Sequence, residues 1–200
     1  MSAIAVRLLN DRWARPAAHA LCALPLIWLA SHAALDLLGA NPVEAAIRFL
    51  GDWGLKILIL GLAVTPIRQF GGVSALARCR RMLGLWGFAY VTLHLLGYVV
   101  LDQFFDWANI GHEILKHKFI TAGIVAFTLL LPLAVTSTDG MIKRLGGKSW
   151  RQLHYLVYPA IPLAALHYIW MVKAGKAQPS LYFAAALLLL LSRWVYALRR

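Results

Sequence analysis

The chain has 200 residues, of which 61% are hydrophobic and 14% are charged, and its mean hydropathy is +0.68. A soluble domain of this size needs more polar surface than these residues supply, so the composition excludes an ordinary soluble protein. The net charge of +12 does not indicate nucleic-acid binding, because the basic residues lie between apolar segments rather than on one face or in one tail. The sequence therefore predicts an integral membrane protein.

Six apolar segments approach or reach the length of about 20 residues that a helix needs to cross a bilayer. We predict an all-α bundle of six transmembrane helices that forms a single domain over residues 1–200. The second and fourth segments are short, and flanking side chains are expected to extend them. The predicted spans are Ala17–Leu35, Gly54–Ile67, Met82–Leu101, Phe119–Val135, Gln152–Val172 and Leu181–Leu198.

The basic residues predict the orientation of these spans, because short cytoplasmic loops are enriched in Lys and Arg. With six spans, 14 of the 20 Lys and Arg residues fall on the side that holds both termini. We therefore predict that both termini are cytoplasmic. The cations on that side are Arg7, Arg12, Arg15, Arg68, Arg78, Arg80, Arg81, Lys143, Arg144, Lys148, Arg151, Arg193, Arg199 and Arg200.

Two segments on the opposite side carry local structural signals. The run Asn41-Pro42-Val43-Glu44 has a capping residue, a proline at the first helical position and an acid in the first turn. It predicts a short surface helix that ends near Leu50, before the second span. The segment from Asp102 to Lys118 mixes aromatic and charged residues, which is typical of a helix in the membrane interface; a docking surface for an outer partner is the alternative.

The predicted spans contain histidines, and an ionisable side chain inside a bilayer is costly unless it is paired or functional. His94 lies about 13 residues past Arg81 in the third span, and His167 lies about 16 residues past Arg151 in the fifth. At a rise of 1.5 Å per residue, these separations place the two rings about 20 Å and about 24 Å from the cytoplasmic side. Two histidines at similar depth on parallel helices predict the axial ligands of a haem.

Other roles for the histidines stay open at this point. A single membrane histidine commonly forms a hydrogen bond between helices. A proton-coupled transporter that uses the histidines as a relay is the alternative function, and a passive membrane anchor is a third. Transport is disfavoured because no acid lies in the middle of a span and no inverted repeat is evident.

His154 lies near the cytoplasmic end of the fifth span, on the same predicted helix as His167. On a straight helix the two side chains would point about 140° apart. Pro159 and Pro162 lie between them, and prolines kink helices. Either the kink brings both rings inward, or only one of them binds iron.

Four segments carry a resemblance to a known family: RRMLGLWGFAYVTLHLLGY at 80–98, TST at 136–138, LGGKSWRQLHYLVY at 145–158 and ALHYIW at 165–170. In these segments the chain resembles the MsrQ family, also called YedZ. Its members are haem-binding membrane subunits in the ferric-reductase-like transmembrane superfamily. The resemblance covers nearly the whole chain.

The resemblance implies a b-type cytochrome in the bacterial inner membrane. Electrons from the quinone pool, or from a cytoplasmic flavin reductase, would cross the membrane to MsrP. MsrP is a periplasmic molybdopterin enzyme that reduces methionine sulfoxide in oxidised envelope proteins. The chain would then be an electron-transfer subunit rather than a stand-alone catalyst. FMN is also associated with the family, and no residue of this sequence identifies its site.

By motif matching, the family's haem histidines fall on His94, His154 and His167. The wider superfamily places two haems between the third and fifth spans, with two histidines on each span. Here the third span has only His94, so the resemblance implies one haem between His94 and His167. A second haem would pair His154 with His19, which lies at a similar depth, or His154 would line a quinone or flavin pocket. Each ligand is expected to donate its other ring N–H to an acceptor.

Overall fold

A computed structural model of the chain describes residues 13–72, 76–172 and 177–198. Within these residues every secondary-structure element is a helix and there is no strand, which confirms the all-α prediction. A π-helical turn, Gly97–Asp102, continues the third helix, and a 3-10 turn, His154–Leu156, joins the seventh to the eighth. The α-helices are α1 Ala14–Ala34, α2 Pro42–Gly71, α3 Ala77–Leu96, α4 Trp107–Lys116, α5 Lys118–Val135, α6 Asp139–Leu145, α7 Gly147–Leu153, α8 Val157–Met171 and α9 Gln178–Leu198.

Four helical stretches of the described residues are long and apolar enough to cross a membrane. They correspond to the first, third, fourth and sixth predicted spans, so the chain has the helices of a membrane protein. α2 contains the second predicted span and α8 contains most of the fifth, and neither helix belongs to this set. Six spans and cytoplasmic termini therefore stay predictions; four of the terminal cations (Arg7, Arg12, Arg199 and Arg200) lie outside the described residues. The four stretches are Ala14–Ala34, Cys79–Asp102, Lys118–Val135 and Gln178–Tyr196.

α2 is one continuous helix of 30 residues, so the prediction of a separate surface helix before the second span was wrong. The predicted start is confirmed, because the Asn41 side chain accepts a hydrogen bond from the Glu44 N–H at 3.2 Å and Pro42 follows it. Gly51 and Gly54 do not end the helix. A glycine costs a helix only about 1 kcal/mol relative to alanine, and tertiary packing offsets such a cost.

The helix predicted between Asp102 and Lys118 is confirmed as α4. The Asp106 side chain caps it by accepting a hydrogen bond from the Asn109 N–H at 2.9 Å. Ile110 is buried, whereas Trp107 and Leu115 are exposed. Exposed apolar side chains on a short helix suit a membrane interface, which stays the predicted location of α4.

The predicted fifth span, Gln152–Val172, is not one continuous helix. α7 ends at Leu153, the 3-10 turn contains His154, and α8 begins at Val157. Because α8 begins at Val157, Pro159 lies in its first turn. The N–H groups of a first turn have no partner within the helix, so the missing N–H of proline costs no helical hydrogen bond there. His154 and His167 therefore lie on different helical segments, and the angle expected for a straight helix does not apply.

The described residues divide into two compact units, 13–94 with 189–198, and 95–188. In the first unit, α1, α2 and α3 pack around Tyr90, which is fully buried and donates its hydroxyl hydrogen to the Cys22 carbonyl at 2.7 Å. The prediction of a single domain stays a prediction. Tyr90 forms a buried cluster with Leu50 and Ile57, and the partly buried side chains that pack against this cluster are Leu26, Leu29, Trp53, Leu83 and Trp86.

Arg193 lies within α9, as the sixth predicted span implied, and it is buried in the same unit. Its Nη2 donates a hydrogen bond to the Leu62 carbonyl of α2. Pro66 lies four residues after Leu62 and has no N–H, so α2 itself lacks the usual donor to that carbonyl. The guanidinium therefore supplies a hydrogen bond that the proline removes.

In the second unit α5 packs closely against α8. Ala122 and Ala126 of α5 and Ala160 and Ala165 of α8 are buried. Small residues let two helix backbones approach each other, and in a membrane this close packing replaces the hydrophobic driving force between helices. It also brings the α8 side chains against the α5 backbone, which determines the surroundings of His167.

Candidate functional site

His94, on α3, is partly buried in the first unit and contacts the backbone of α2. Its Nδ1 lies 2.8 Å from the carbonyl oxygen of Ile47. A carbonyl oxygen only accepts hydrogen bonds, so the imidazole proton is on Nδ1 and the lone pair is on Nε2. This is the arrangement of a metal-binding histidine, whose other ring N–H donates to a backbone or carboxylate acceptor.

His167, on α8, has the same arrangement within the second unit. Its Nδ1 lies 2.6 Å from the carbonyl oxygen of Phe119 on α5, which again assigns the proton to Nδ1 and the lone pair to Nε2. The Phe119 ring lies beside the imidazole, with the ring centroids 6.1 Å apart. Both predicted ligands of the first haem are thus oriented by a backbone carbonyl of a neighbouring helix.

A glycine lies beneath each of these two rings. A Cβ atom added at Gly51 would lie 2.9 Å from Nδ1 and 3.1 Å from Cε1 of His94. A Cβ atom added at Gly123 would lie 2.9 Å from Nδ1 and 3.2 Å from Cε1 of His167. Each imidazole therefore packs on helix backbone at a position where any other residue would place a side-chain atom.

His154 is oriented by a different set of contacts. Its Nδ1 lies 3.0 Å from the carbonyl oxygen of Trp150, and its ring lies over the Trp150 indole with centroids 3.8 Å apart. The indole Nε1–H donates to the carbonyl of Thr136, which is buried, at 2.9 Å. The TST and KSWRQLH segments therefore meet, and together they fix the His154 ring with its lone pair on Nε2.

His19 differs from these three histidines. Its Nδ1 accepts a hydrogen bond from the Trp86 indole N–H at 2.9 Å, so its lone pair is on Nδ1 and its proton is on Nε2. The His19 side chain is also exposed. In this tautomer the Nε2 atom has no lone pair to give to iron, so the geometry does not favour the predicted role as a second-haem ligand.

We expect His19→Ala to leave the haem content of the purified protein unchanged, because its ring nitrogen is already engaged by Trp86. The measurement is haem per chain by the pyridine haemochrome method, with His154→Ala prepared in parallel. A loss of haem in His19→Ala that equals the loss in His154→Ala would show that the two histidines bind the same iron.

The hydrogen bond expected of the other ring nitrogen is present in His94, His154 and His167, in each case between Nδ1 and a backbone carbonyl, while their role as ligands stays a prediction. The acceptors were not predicted, because every residue has a carbonyl and the sequence does not show which one a ring will meet. The glycines in two apolar segments were a signal from which these contacts could have been suspected. The residues that sequence reasoning missed are Ile47, Gly51, Phe119, Gly123, Trp150 and Thr136.

These three side chains have the donor chemistry that a haem iron needs. An imidazole with its lone pair on Nε2 and its Nδ1–H on a carbonyl is held in one ring orientation and is a more basic ligand. His94 belongs to the first unit, and His154 and His167 belong to the second. The residues therefore fit the predicted group.

Comparison with known proteins gives one family model and a set of close relatives. The model described as ferric reductase like transmembrane component matches residues 50–165. The protein-methionine-sulfoxide reductase heme-binding subunit MsrQ of Rhodospirillum rubrum is 52% identical over 96% of this chain and 92% of its own length. The subunit of the same name from Caulobacter vibrioides is 49% identical over 86% of this chain and 82% of its own length. The subunit of the same name from Polaromonas naphthalenivorans is 48% identical over 90% of this chain and 83% of its own length.

Proposed function

Because the chain belongs to the MsrQ family of heme-binding subunits, within the ferric-reductase-like membrane proteins, we propose that it is a b-type cytochrome that carries electrons across the bacterial inner membrane. The proposed acceptor is MsrP, the periplasmic molybdopterin enzyme that reduces methionine sulfoxide in envelope proteins. The proposed donor is the quinone pool or a cytoplasmic flavin reductase. In this role the chain transfers electrons and does not act on methionine sulfoxide itself.

His94 and His167 are the proposed axial ligands of one haem. The observation that supports this assignment is their shared geometry, in which a helix carbonyl binds Nδ1–H and the lone pair is on Nε2. Their similar predicted depth in the membrane supports it independently. A haem with two imidazole ligands supplies a one-electron centre without an open position for oxygen.

The protein's own contribution is to fix and surround these ligands. The carbonyls of Ile47 and Phe119 set the ring orientations and increase the basicity of the ligating nitrogens. Both acceptors lie on helices, which hold ligands more precisely than loops do. The reduction potential of a bound haem would depend on these ligands and on the polarity of their surroundings.

His154 is the third proposed cofactor contact. It serves either a second haem or a quinone or flavin pocket, which would also be the place for the FMN that the family resemblance implies. The fixed ring orientation, set by Trp150, suits both roles. The number of haems per chain distinguishes the two.

The first test is a reduced-minus-oxidised visible spectrum of the detergent-purified protein, with haem quantified per chain. We expect sharp b-type bands and about one haem if only His94 and His167 bind iron, or about two if His154 does so as well. Reduction of the protein by a quinol tests the donor. Absence of haem after expression with sufficient haem supply would overturn the proposal and favour the proton-relay alternative.

A further inference from the structure

Gly51 and Gly123 occupy equivalent positions beneath the two proposed haem ligands. Gly51 lies four residues after Ile47, whose carbonyl accepts the His94 N–H, and Gly123 lies four residues after Phe119, whose carbonyl accepts the His167 N–H. In an α-helix the N–H of a residue bonds to the carbonyl four residues earlier. Each ring therefore packs on one helical turn. The turn begins at the carbonyl that accepts the histidine N–H and ends at the glycine whose own N–H bonds to the same carbonyl.

Among the described residues, this glycine–carbonyl contact is present on α2 in the first unit and on α5 in the second. The distances from an added Cβ to the two rings agree within 0.1 Å at Nδ1 and Cε1, at 2.9 and 3.1 Å for Gly51 and 2.9 and 3.2 Å for Gly123. Real Cβ atoms essentially never approach other atoms closer than 3.0 Å. A side chain at either position would therefore displace the imidazole or lengthen its hydrogen bond.

We propose that Gly51 and Gly123 are positioning residues that set the place and the rotation of the two ligating imidazoles. The inference rests on the proposed function, since it assumes that His94 and His167 bind iron. It assigns a role in that function to two residues that have no side chain. They act by leaving room for the imidazole rings. The rotation of an imidazole about its bond to iron affects the electronic structure of a low-spin haem, so the glycines have a spectroscopic consequence.

Other glycines of the same helices provide matched controls. A Cβ at Gly54 would lie 2.7 Å from Val91 Cγ1, and a Cβ at Gly87 would lie 2.7 Å from Leu58 Cδ2, so alanine at either position crowds α2 and α3 without touching an imidazole. A Cβ at Gly84 would have no atom within 4 Å. Gly54→Ala thus measures crowding alone, and Gly84→Ala measures the effect of alanine alone.

The experiment compares Gly51→Ala and Gly123→Ala with these controls in the full-length, detergent-purified protein. Haem per chain and the electron paramagnetic resonance spectrum of the oxidised haem are measured. In both variants we expect a shifted low-spin signal and about tenfold less haem per chain. An effect of this size is comparable to that of removing a hydrogen-bond partner of a metal ligand. Gly54→Ala and Gly84→Ala should retain the wild-type signal.

A second measurement avoids variants that fail to fold. In the His94→Gly background the ring that Gly51→Ala would crowd is absent, so the added methyl meets no imidazole. We expect the His94→Gly protein to retain haem only when external imidazole is supplied during preparation. The imidazole concentration that gives half-maximal low-spin haem should be about tenfold higher when Gly51→Ala is also present.

The proposal would be overturned by wild-type signals in both glycine variants, by an identical shift in Gly54→Ala, or by equal imidazole affinities with Gly51 and with alanine. Failure of the proposed function gives a different result. In that case the wild-type protein contains no haem, or His94→Ala and His167→Ala retain it. The two failures are therefore distinguishable in one set of preparations.

Discussion

His94→Ala and His167→Ala are each expected to abolish haem retention. Each substitution removes one of two axial nitrogens, and each of those nitrogens belongs to a ring that a carbonyl of α2 or α5 holds in place. With either side chain removed, the haem would be held by one histidine instead of two and would be lost during purification. The measurement is the visible spectrum and the haem content of the purified variants.

His112→Ala is the matched control for these variants. His112 lies on α4 with its side chain 65% exposed, far along the chain from either proposed ligand, and its substitution should leave haem content unchanged. Full haem content and an unchanged spectrum in both His94→Ala and His167→Ala would refute the ligand assignment. Loss of haem in His112→Ala as well would indicate that the variants act through folding rather than through ligation.

Arg193→Met is expected to lower the free energy of unfolding by about 1–3 kcal/mol, the usual cost of a buried polar group that loses its partner. The substitution would leave the Leu62 carbonyl without a donor. Pro66 has no N–H to bond to this carbonyl, and Arg193 donates to it instead. Pro66→Ala restores an N–H at that position. Arg193→Met should therefore cost less in the Pro66→Ala background, and a double-mutant cycle in mixed detergent measures the difference.

Arg151→Met serves as the control, because Arg151 is exposed at the end of α7 and its loss should change stability little. Equal costs of Arg193→Met with and without Pro66 would contradict the proposed compensation. In that outcome Arg193 would stabilise the first unit through its other contacts rather than through the Leu62 carbonyl.

Local sequence signals predicted several parts of the fold correctly. The capping residue Asn41 and the proline after it marked the start of α2, because a cap depends on residues within one turn. The mixture of aromatic and charged residues before Lys118 predicted α4. Continuity was harder to predict. The helix predicted to end near Leu50 continues through Gly51 and Gly54, which are packing positions. Pro159 was expected to kink a helix but lies just after a 3-10 turn.

The sequence by itself determined that this is an all-helical membrane protein, and it predicted that histidines carry its chemistry. Composition decides the first point, since these residues cannot cover a soluble surface, and the second follows because an ionisable side chain is costly in a bilayer. The family resemblance in the four quoted segments was also readable from residue types alone, and the comparisons confirm it.

Only the tertiary structure decided how the histidines are held. The acceptors of His94 and His167 are backbone carbonyls, which every residue has, so helix packing alone selects Ile47 and Phe119. Packing likewise gives His19 the tautomer opposite to that of the proposed ligands, through Trp86. A sequence specifies which groups can donate and accept, but the partner of each group is set by residues tens of positions away that folding brings within about 3 Å.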